Sequence, residues 1–278
     1  MKIHDTNVYE YLQTVSTRSP ETLEALYDNG CATRCVFESL PPLAKQYVMR
    51  LVPCGDIWVE LDAWLAEGGA LAHHRVACTQ LTKLRVMEKR KAVANGAGEG
   101  SRLEYKLHSR FRVQMMEWLC GSAAGQWERG AATPAPADPA QGGKPDELAP
   151  GVGTLESQAA LKWEAVLTYL LSGGKPDASM EGVAEILREL GVMKTEMDEG
   201  FVVYTITADG YSFLLHDMKT QLWLFVRAYI EKATAAGATA ELLIFLFQLS
   251  FLQLGEYYAT AQLSPAQLQF EEDLASIG

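Results

Sequence analysis

The sequence predicts a mainly α-helical protein with small β-hairpins, in which tandem winged-helix-like units form part of a helical scaffold. Three observations predict this class. Apolar residues recur at helical spacing through most of the chain. The order helix, helix, hairpin, helix occurs twice. A segment rich in Gly, Ala and Pro, without apolar periodicity, separates the two occurrences.

The first half reads as a series of helices followed by one hairpin. Proline at a first turn and Asn-Gly at an end favour the helices. Asp56 is a candidate cap for a helix on which Ile57, Leu61 and Trp64 share a face. An extended pattern with a Gly-rich turn then predicts the hairpin. The predicted helices are 21–28, 32–40, 43–52, 56–65, 70–84 and 109–120, and the predicted strands are 85–91 and 102–107.

The second half repeats this order. Trp163, Val166 and Leu170 mark one face of a helix. Ser179 is predicted to cap the next helix and Gly191 to end it. The hairpin strands are predicted at 192–196 and 201–206, and later helices at 207–216, with Thr207 as the cap, 219–232 and 239–254.

A repeated signature links the two halves. Leu81-x-x-Leu84-x-Val86-Met87 matches Leu187-x-x-Leu190-x-Val192-Met193, and Tyr105 of one hairpin matches Tyr204 of the other. A chance alternation of helices and hairpins is the alternative, which the repeat disfavours. Leu274-x-x-Ile277-Gly278 copies part of the signature again, which predicts a third unit that is cut short and a chain that is a fragment.

The predicted domains are an N-terminal helical, winged-helix-like domain at 1–120 and a second winged-helix-like domain with extra helices at 154–260. Between them, Gly, Ala and Pro supply 20 of the 33 residues from 121 to 153. Such a composition buries too little apolar surface to offset the entropy of ordering it, so this segment is predicted to be a flexible linker. Residues 261–278 are predicted to begin the third unit, with Ser264 and Gln267 forming a capping box at the start of its helix.

Composition excludes several classes of function. The formal net charge of −11 argues against general coating of nucleic acid or of an anionic membrane. The apolar run 242–254 is shorter than the roughly 20 residues of a bilayer span, and no signal peptide is visible. Five cysteines without metal-ligand spacing are predicted to be reduced core residues in a cytosolic or nuclear protein. The sequence therefore predicts a soluble protein that uses no metal or cofactor.

The motifs of catalysis are not met. Gly142-Gly143-Lys144 and Gly173-Gly174-Lys175 are each followed by Pro, which lacks the hydroxyl and the backbone donor that a phosphate-binding loop needs. His73 and His74 are adjacent, so they point to different helix faces. The five histidines are predicted to be surface or capping residues, and the protein is predicted not to be an enzyme.

One segment is strongly basic. Between His73 and Arg112 there are ten lysines and arginines and three acids. In a winged helix this segment forms the recognition helix and wing, which commonly meet DNA phosphates; an acidic protein partner or solvent is the alternative. The equivalent second helix carries Glu181, Glu185 and Glu189, which favours protein binding there. The basic residues are Arg75, Lys83, Arg85, Lys89, Arg90, Lys91, Arg102, Lys106, Arg110 and Arg112.

Three stretches carry a resemblance to a known family. They are Leu26-Tyr27 followed by Ala32–Arg50, then Gln221-Leu222-Trp223, and then Phe245–Phe251. In this order they resemble the general transcription factor IIH subunit 4 family. The residues of these motifs that are expected to be structural are Phe37, Leu40, Tyr47, Met49, Trp223, Phe245, Phe247, Leu249 and Phe251.

The resemblance implies a non-catalytic scaffold subunit of the factor IIH core complex, which acts in RNA polymerase II transcription initiation and nucleotide excision repair in the nucleus. Family members anchor the translocase subunit XPB and stimulate its ATPase, and they contact a subunit with a von Willebrand-like domain and a small dimerising subunit. The resemblance places the XPB and small-subunit sites in the family's C-terminal half, beyond residue 278. The first unit is expected to present the helices around Tyr47–Val52 to a partner. The alternative function is a winged-helix protein that contacts double-stranded DNA through the basic patch.

Overall fold

The chain divides into two compact units, Asn7–Gln126 and Trp127–Gly278, and each is called a module here. A computed structural model describes residues 7–65, 71–92, 102–121, 152–176, 180–198, 201–234, 237–252, 258 and 260–278. Helices dominate these residues, and each module contains one antiparallel hairpin. The predicted class, mainly α with small hairpins, is confirmed. Most of the predicted linker lies outside the described residues.

The first module begins with four helices whose starts are fixed by local caps. Asn7 and Asn29 accept hydrogen bonds from the first amides of α1 and α3, whereas Pro20 and Pro42 occupy the first turns of α2 and α4. Helix α1 was not predicted, although Asn7 followed by Glu10 is a capping signal. The helices are α1 (Val8–Arg18), α2 (Pro20–Leu26), α3 (Gly30–Ser39) and α4 (Pro42–Leu51).

After α4 and a 3₁₀ turn at Val52–Cys54 the chain is extended as far as Glu60, and the predicted helix at 56–65 is wrong. Val59 forms an antiparallel bridge with Tyr105, and both backbone bonds between them are 2.8 Å. A short 3₁₀ turn, Leu61–Trp64, follows. Ile57, which was expected to face inward, is 62% exposed. Residues 57–59 are Ile, Trp and Val, which favour an extended chain, and a stretch of three residues shows no period that would separate a strand from a helix.

The module then forms α5 (Leu71–Lys83), the strands β1 (Met87–Ala92) and β2 (Arg102–Leu107), and α6 (Ser109–Leu119). The strands pair from Met87 opposite Leu107 to Ala92 opposite Arg102. The Val59 bridge lies on the far side of β2, so β1 is the edge of this small sheet. The core lies between the helices and the base of the hairpin, where Leu81, Val86 and Phe111 are fully buried.

The second module repeats this order. It contains α7 (Val152–Ser172), α8 (Glu181–Glu189), β3 (Met193–Asp198), β4 (Phe201–Ile206), α9 (Ala208–Leu214), α10 (Met218–Ala233), α11 (Thr239–Leu249) and α12 (Pro265–Ile277). Gly174 bridges Tyr204 on β4 as Val59 bridges Tyr105 on β2. The helix before the bridge must turn tightly, and Gly173 allows it: its φ is +62°, and an added Cβ would lie 2.5 Å from the carbonyl oxygen of Tyr204.

The repeated signature proves to be a helix-ending turn. The amide of Val86 donates to the carbonyl of Leu81 at 3.0 Å, and that of Val192 donates to Leu187 at 3.1 Å. These four side chains are fully buried. The intervening residues, Arg85 and Gly191, have φ of +52° and +79°. This is the Schellman arrangement, in which a left-handed residue reverses the chain at the end of a helix.

Later helices complete the second core. Trp163 Nε1 donates to the Gln221 side-chain oxygen at 3.1 Å, and the Gln221 amide nitrogen donates to the Phe213 carbonyl at 3.2 Å. Helices α10 and α11 pack together, as do α11 and α12. Helix α12, which sequence analysis assigned to a third unit, places Ile277 in the same core as Trp163 and Phe225.

Several predicted caps can be compared with the structure. Thr207 Oγ1 accepts the amide of Gly210, as predicted. The capping box of Ser264 and Gln267 at the start of α12 is present with both hydrogen bonds, and Gly191 ends α8. Ser179 lies outside the described residues.

The helix-ending turn predicts that substitutions at its left-handed residue have unequal effects on the stability of the two modules. Gly191→Ala should lower the free energy of unfolding of the second module by about 1 kcal/mol, because a Cβ disfavours a positive φ although it would meet no atom there. Arg85→Gly should change the stability of the first module by less than about 1 kcal/mol, since relief of the left-handed backbone is offset by greater freedom in the unfolded chain. Urea unfolding followed by circular dichroism measures both. An equal effect of the two changes would contradict the assignment.

Candidate functional site

The basic residues of segment 73–112 that lie on the hairpin of the first module are distributed over its two faces. Residues directly opposite each other share a face, so Lys89 and its partner Tyr105 lie on one side, and Arg90 and its partner Glu104 lie on the other. The side of Lys89 looks toward α5, and the other side looks toward the extended residues before the 3₁₀ turn.

On the outer side the positive charges are paired. Arg90 lies 4.4 Å from the ring centre of Trp58 and 2.7 Å from a Glu104 carboxylate oxygen. Lys106 lies 5.2 Å from the same ring and 3.0 Å from Asp56. The hydrogen bond to the Asp56 carboxylate raises the pKa of Lys106 above its ordinary value. On this side the Trp58 ring therefore lies between two ion pairs, and neither Arg90 nor Lys106 presents an unpaired positive charge.

Three further arginines of the predicted patch also have acidic partners. Arg85 lies 3.4 Å from Glu24, Arg102 lies 3.6 Å from Glu60, and Arg110 lies 2.7 Å from Asp28. Exposed pairs of this kind contribute little to stability, about 0–1 kcal/mol each. They nevertheless reduce the local charge. The acids come from earlier in the chain, outside the segment 73–112, so a count along the sequence did not include them.

The remaining positive charge is concentrated in one groove. Arg75 and Lys83 on α5 and Lys89 on β1 line a groove of about 560 Å³ between that helix and the hairpin. All three are exposed, and none has an acidic partner among the described residues. Lys91 lies further out on β1 and Arg112 on α6, and neither lines the groove. Its other lining residues are Asp62, Leu71, His74, Cys78, Thr79, Thr82, Leu103 and Tyr105.

A buried histidine forms the floor of this groove. His74 is 3% exposed, so the prediction of a surface or capping histidine is wrong for it. Its Nε2 lies 2.8 Å from Asp62 Oδ1, and its Nδ1 lies 2.8 Å from the hydroxyl of Tyr47. A carboxylate only accepts, so Nε2 carries a proton, and Nδ1 shares its hydrogen bond with the Tyr47 hydroxyl. The ring ties α5 to α4 and to the 3₁₀ turn.

Cys78 lies beside this histidine without the features of a nucleophile. Its Sγ is 3.6 Å from His74 Nε2, the nitrogen that Asp62 already occupies. Burial, followed by the nearby Asp62 carboxylate, raises the pKa of the Cys78 thiol to about 11. A thiol with so high a pKa remains protonated at neutral pH and reacts slowly. The arrangement of Asp62, His74 and Cys78 is therefore structural.

The equivalent positions in the second module reverse the charge. The shared signature places Glu181 where the first module has Arg75, Glu189 where it has Lys83, and Thr195 where it has Lys89. Glu185, one turn along α8, is paired with Lys232 at 2.5 Å, and this hydrogen bond lowers the pKa of its carboxyl. Phosphate would be repelled from this second surface.

The residues of the three family-like stretches divide by burial. Phe37, Leu40, Tyr47, Phe245 and Phe247 are buried, and Trp223, Leu249 and Phe251 are half-buried. Met49 differs from the expected core position because it is 41% exposed. Within 47–52, Tyr47, Val48, Leu51 and Val52 point into the first core, whereas Met49 and Arg50 are exposed. Contact of the helices around this range with a partner stays a prediction.

The five cysteines differ in burial. Cys31, Cys35 and Cys78 are buried as predicted, whereas Cys54 is half-buried and Cys120 is exposed, so the core assignment is wrong for these two. No cluster of three or more His, Cys, Asp and Glu suited to a metal occurs in the described parts of the chain. Within those same parts, no helix has the length and apolarity to cross a membrane.

The environment of Cys78 predicts slow alkylation. At pH 8 a thiol with a pKa of about 11 is about one part in a thousand thiolate, so iodoacetamide should modify Cys78 of the folded chain about a hundredfold more slowly than an ordinary thiol. The rate should rise about tenfold per pH unit, because the raised pKa lies above this range. Mass spectrometry of peptides measures it, with exposed Cys120 as the internal reference. Equal labelling of both cysteines would contradict the buried, protonated assignment.

Comparisons with known proteins agree with the resemblance noted in the sequence. The chain matches the family described as transcription factor Tfb2 over residues 10–278. The general transcription and DNA repair factor IIH subunit TFB2 of Arabidopsis thaliana is 26% identical over 96% of this chain and 56% of its own length. General transcription factor IIH subunit 4 of Dictyostelium discoideum is 24% identical over 98% of this chain and 58% of its own length.

The subunit TFB2 of Saccharomyces cerevisiae is 23% identical over 98% of this chain and 48% of its own length. The chain thus spans about half the length of the curated relatives it matches. The family match, in contrast, covers nearly every residue and includes both modules. The chain belongs to the transcription factor Tfb2 family.

Proposed function

We propose that this chain is a non-catalytic scaffold subunit of the transcription and DNA repair factor IIH core complex, acting in the nucleus in RNA polymerase II transcription initiation and nucleotide excision repair. The observation that carries the proposal is the family match over residues 10–278, which includes both modules. The names of the relatives from a plant, an amoeba and a yeast all describe factor IIH subunits.

The architecture supports a scaffold role. Each module has a helix, a one-residue bridge, a second helix, a hairpin and a further helix, which we interpret as a winged helix. The equivalent helices α5 and α8 carry opposite charges. Two modules with the same frame and different surfaces are suited to holding different partners.

The proposed partner of this part of the family is the subunit with a von Willebrand-like domain. The resemblance assigns anchoring of XPB, stimulation of its ATPase and contact with the small dimerising subunit to the C-terminal half of the family. Residues 1–278 correspond to about half of the relatives' length. We therefore propose that XPB stimulation requires the family's other half as well.

An exposed apolar surface in the second module is the proposed contact. Tyr211, Leu215 and Met218, where α9 ends and α10 begins, are 57%, 88% and 48% exposed. Tyr211 and Leu215 are four residues apart and so lie on one side of the helix end. Apolar side chains grouped at a surface mark interaction sites more often than single ones do.

Capture experiments test this function. Immobilised 1–278 should retain the von Willebrand-like subunit when the core subunits are offered one at a time. The double change Leu215→Asp and Met218→Asp should lower retention about tenfold or more, because it places two charges in the contact. Leu161→Asp, at a position 66% exposed on α7, is the matched control and should retain binding. Retention of none of the core subunits would overturn the proposal.

A second function, contact with double-stranded DNA, is favoured by one observation. Arg75, Lys83 and Lys89 converge on the groove between α5 and the hairpin, whereas five other basic residues of the patch are paired with acids. A helix and a wing that present unpaired cations around one groove can meet a phosphate backbone. The proposed DNA contact is thus smaller than the patch in the sequence.

Salt dependence tests the DNA contact. Replacing Arg75, Lys83 and Lys89 with Gln should weaken duplex binding and lower the slope of log affinity against log salt by about 2–3, since each phosphate contact contributes about 0.9. The control replaces Arg85, Arg102 and Arg110 with Gln. It removes the same charge from residues already paired with acids, so its slope should change less. Equal losses in both triple variants, measured by fluorescence anisotropy, would reject the groove.

A further inference from the structure

The second module has a sheet edge whose hydrogen-bonding groups point outward. The amide of Tyr204 donates to the Gly174 carbonyl at 3.0 Å, and the Gly174 amide donates to the Tyr204 carbonyl at 2.8 Å. Both backbone groups of Tyr204 therefore point away from β3. Thr195 is its partner across the hairpin. In an antiparallel pair such a residue turns its own N–H and C=O to the opposite side, so those of Thr195 face outward.

The side chains along this edge are also accessible. Lys194 and Glu196 have side chains 58% and 48% exposed, and Met197 is 72% exposed. Thr195 between them is exposed as well. An open edge with exposed neighbours is able to pair with another strand.

The sequence of β3 is self-complementary in the antiparallel sense. Reading Met193-Lys194-Thr195-Glu196-Met197 from either end gives Met, a charge, Thr, the opposite charge and Met. If Thr195 lies opposite Thr195 of a second copy, Lys194 lies opposite Glu196 and Met193 opposite Met197, twice each. Opposite charges and Thr–Thr pairs both stabilise neighbouring strands.

The backbone geometry agrees with this register. With Thr195 facing outward, Thr195 and its counterpart would exchange both backbone hydrogen bonds. Lys194 and Glu196 would then meet at a non-hydrogen-bonded pair, where side chains across a sheet are closest. Within one copy Lys194 Nζ and Glu196 Oε1 already lie on one face, 2.6 Å apart. In the dimer each charge would bind its opposite on the second copy and would remain on the same face of the sheet.

The first module shows what a blocked edge looks like. Lys89 is the equivalent of Thr195, and its partner Tyr105 bonds to Val59 as Tyr204 bonds to Gly174. In the same register Lys89 would face Lys89 of a second copy, and Lys91 would face Met87. Like charges directly opposite each other oppose pairing, and lysine is a common means of protecting an edge. Glu88 would face Arg90 favourably in this register, so the difference from β3 lies in the Lys89 pair at the centre, where β3 has Thr195.

We propose that β3 pairs with β3 of a second copy of this chain, antiparallel and centred on Thr195, so that the two hairpins form one continuous sheet. Five residues from each copy bury less surface than a standard stable interface. The dimer is therefore weak and concentration-dependent. Salt weakens it further, because four exposed charges contribute to it.

Charge exchange tests the register in the full chain of 278 residues. Sedimentation equilibrium should show mass rising with concentration toward twice 30.6 kDa. Lys194→Glu and Glu196→Lys should each raise the dissociation constant about tenfold or more, since each creates two like-charge pairs. The double variant should dimerise like the unchanged chain. An equimolar mixture of the two single variants should form a mixed dimer, because each like-charge pair then becomes an opposite-charge pair.

Three further variants complete the experiment. Thr195→Lys copies Lys89 of the first module and should abolish pairing. Glu164→Lys on α7 and Lys219→Glu on α10 make the same charge changes at exposed positions away from the edge and should leave it unchanged. A chain that stays monomeric at all concentrations would overturn the proposal. So would dimerisation that Thr195→Lys does not reduce, or single variants that fail to complement each other.

Discussion

The turn between helix and strand at Leu81–Val86 and Leu187–Val192 determines the geometry of both modules. In each, an amide reaches back five residues to a helix carbonyl, and two fully buried apolar side chains meet across the bend. The far end of the hairpin returns to the same place, since the amides of His108 and Thr207 donate to the carbonyls of Val86 and Val192, both at 2.9 Å. The hairpin is thereby fixed at its base and faces its own helix. The groove that holds Arg75, Lys83 and Lys89 exists because of this arrangement.

The same frame carries different chemistry in the two modules, and this separates fold from function. The groove side of α5 bears unpaired cations, whereas α8 bears glutamates at the matching positions. Neither set contributes to the buried core, so exchanging one set for the other leaves the apolar pattern intact. Surface residues are thus free to select partners while the turn and the core preserve the shape.

The sequence predicted most of what depends on neighbouring residues. The caps formed by Thr207 and Ser264, the end of α8 at Gly191 and the two hairpins follow from signals within a few positions. What it could not predict depends on distant residues. Val59 and Gly174 form bridges of one residue each, too short for any periodicity, with partners about 30 or more positions away. His74 is buried because Asp62 and Tyr47 satisfy both ring nitrogens, and Arg110 is neutralised by Asp28 from the turn between α2 and α3.

The buried amide of Gln221 has a consequence for the uniqueness of the second core. Its oxygen accepts from the indole of Trp163 and its nitrogen donates to the carbonyl of Phe213, so one side chain joins α7, α9 and α10. Apolar side chains tolerate sliding past one another, whereas this amide does not. If α10 shifted by one turn, the Trp163 indole, the Phe213 carbonyl and both ends of the Gln221 amide would be buried without hydrogen-bond partners, which is costly. Gln221 therefore fixes the positions of three helices relative to one another. This is a physical reason for a polar residue next to Leu222 and Trp223.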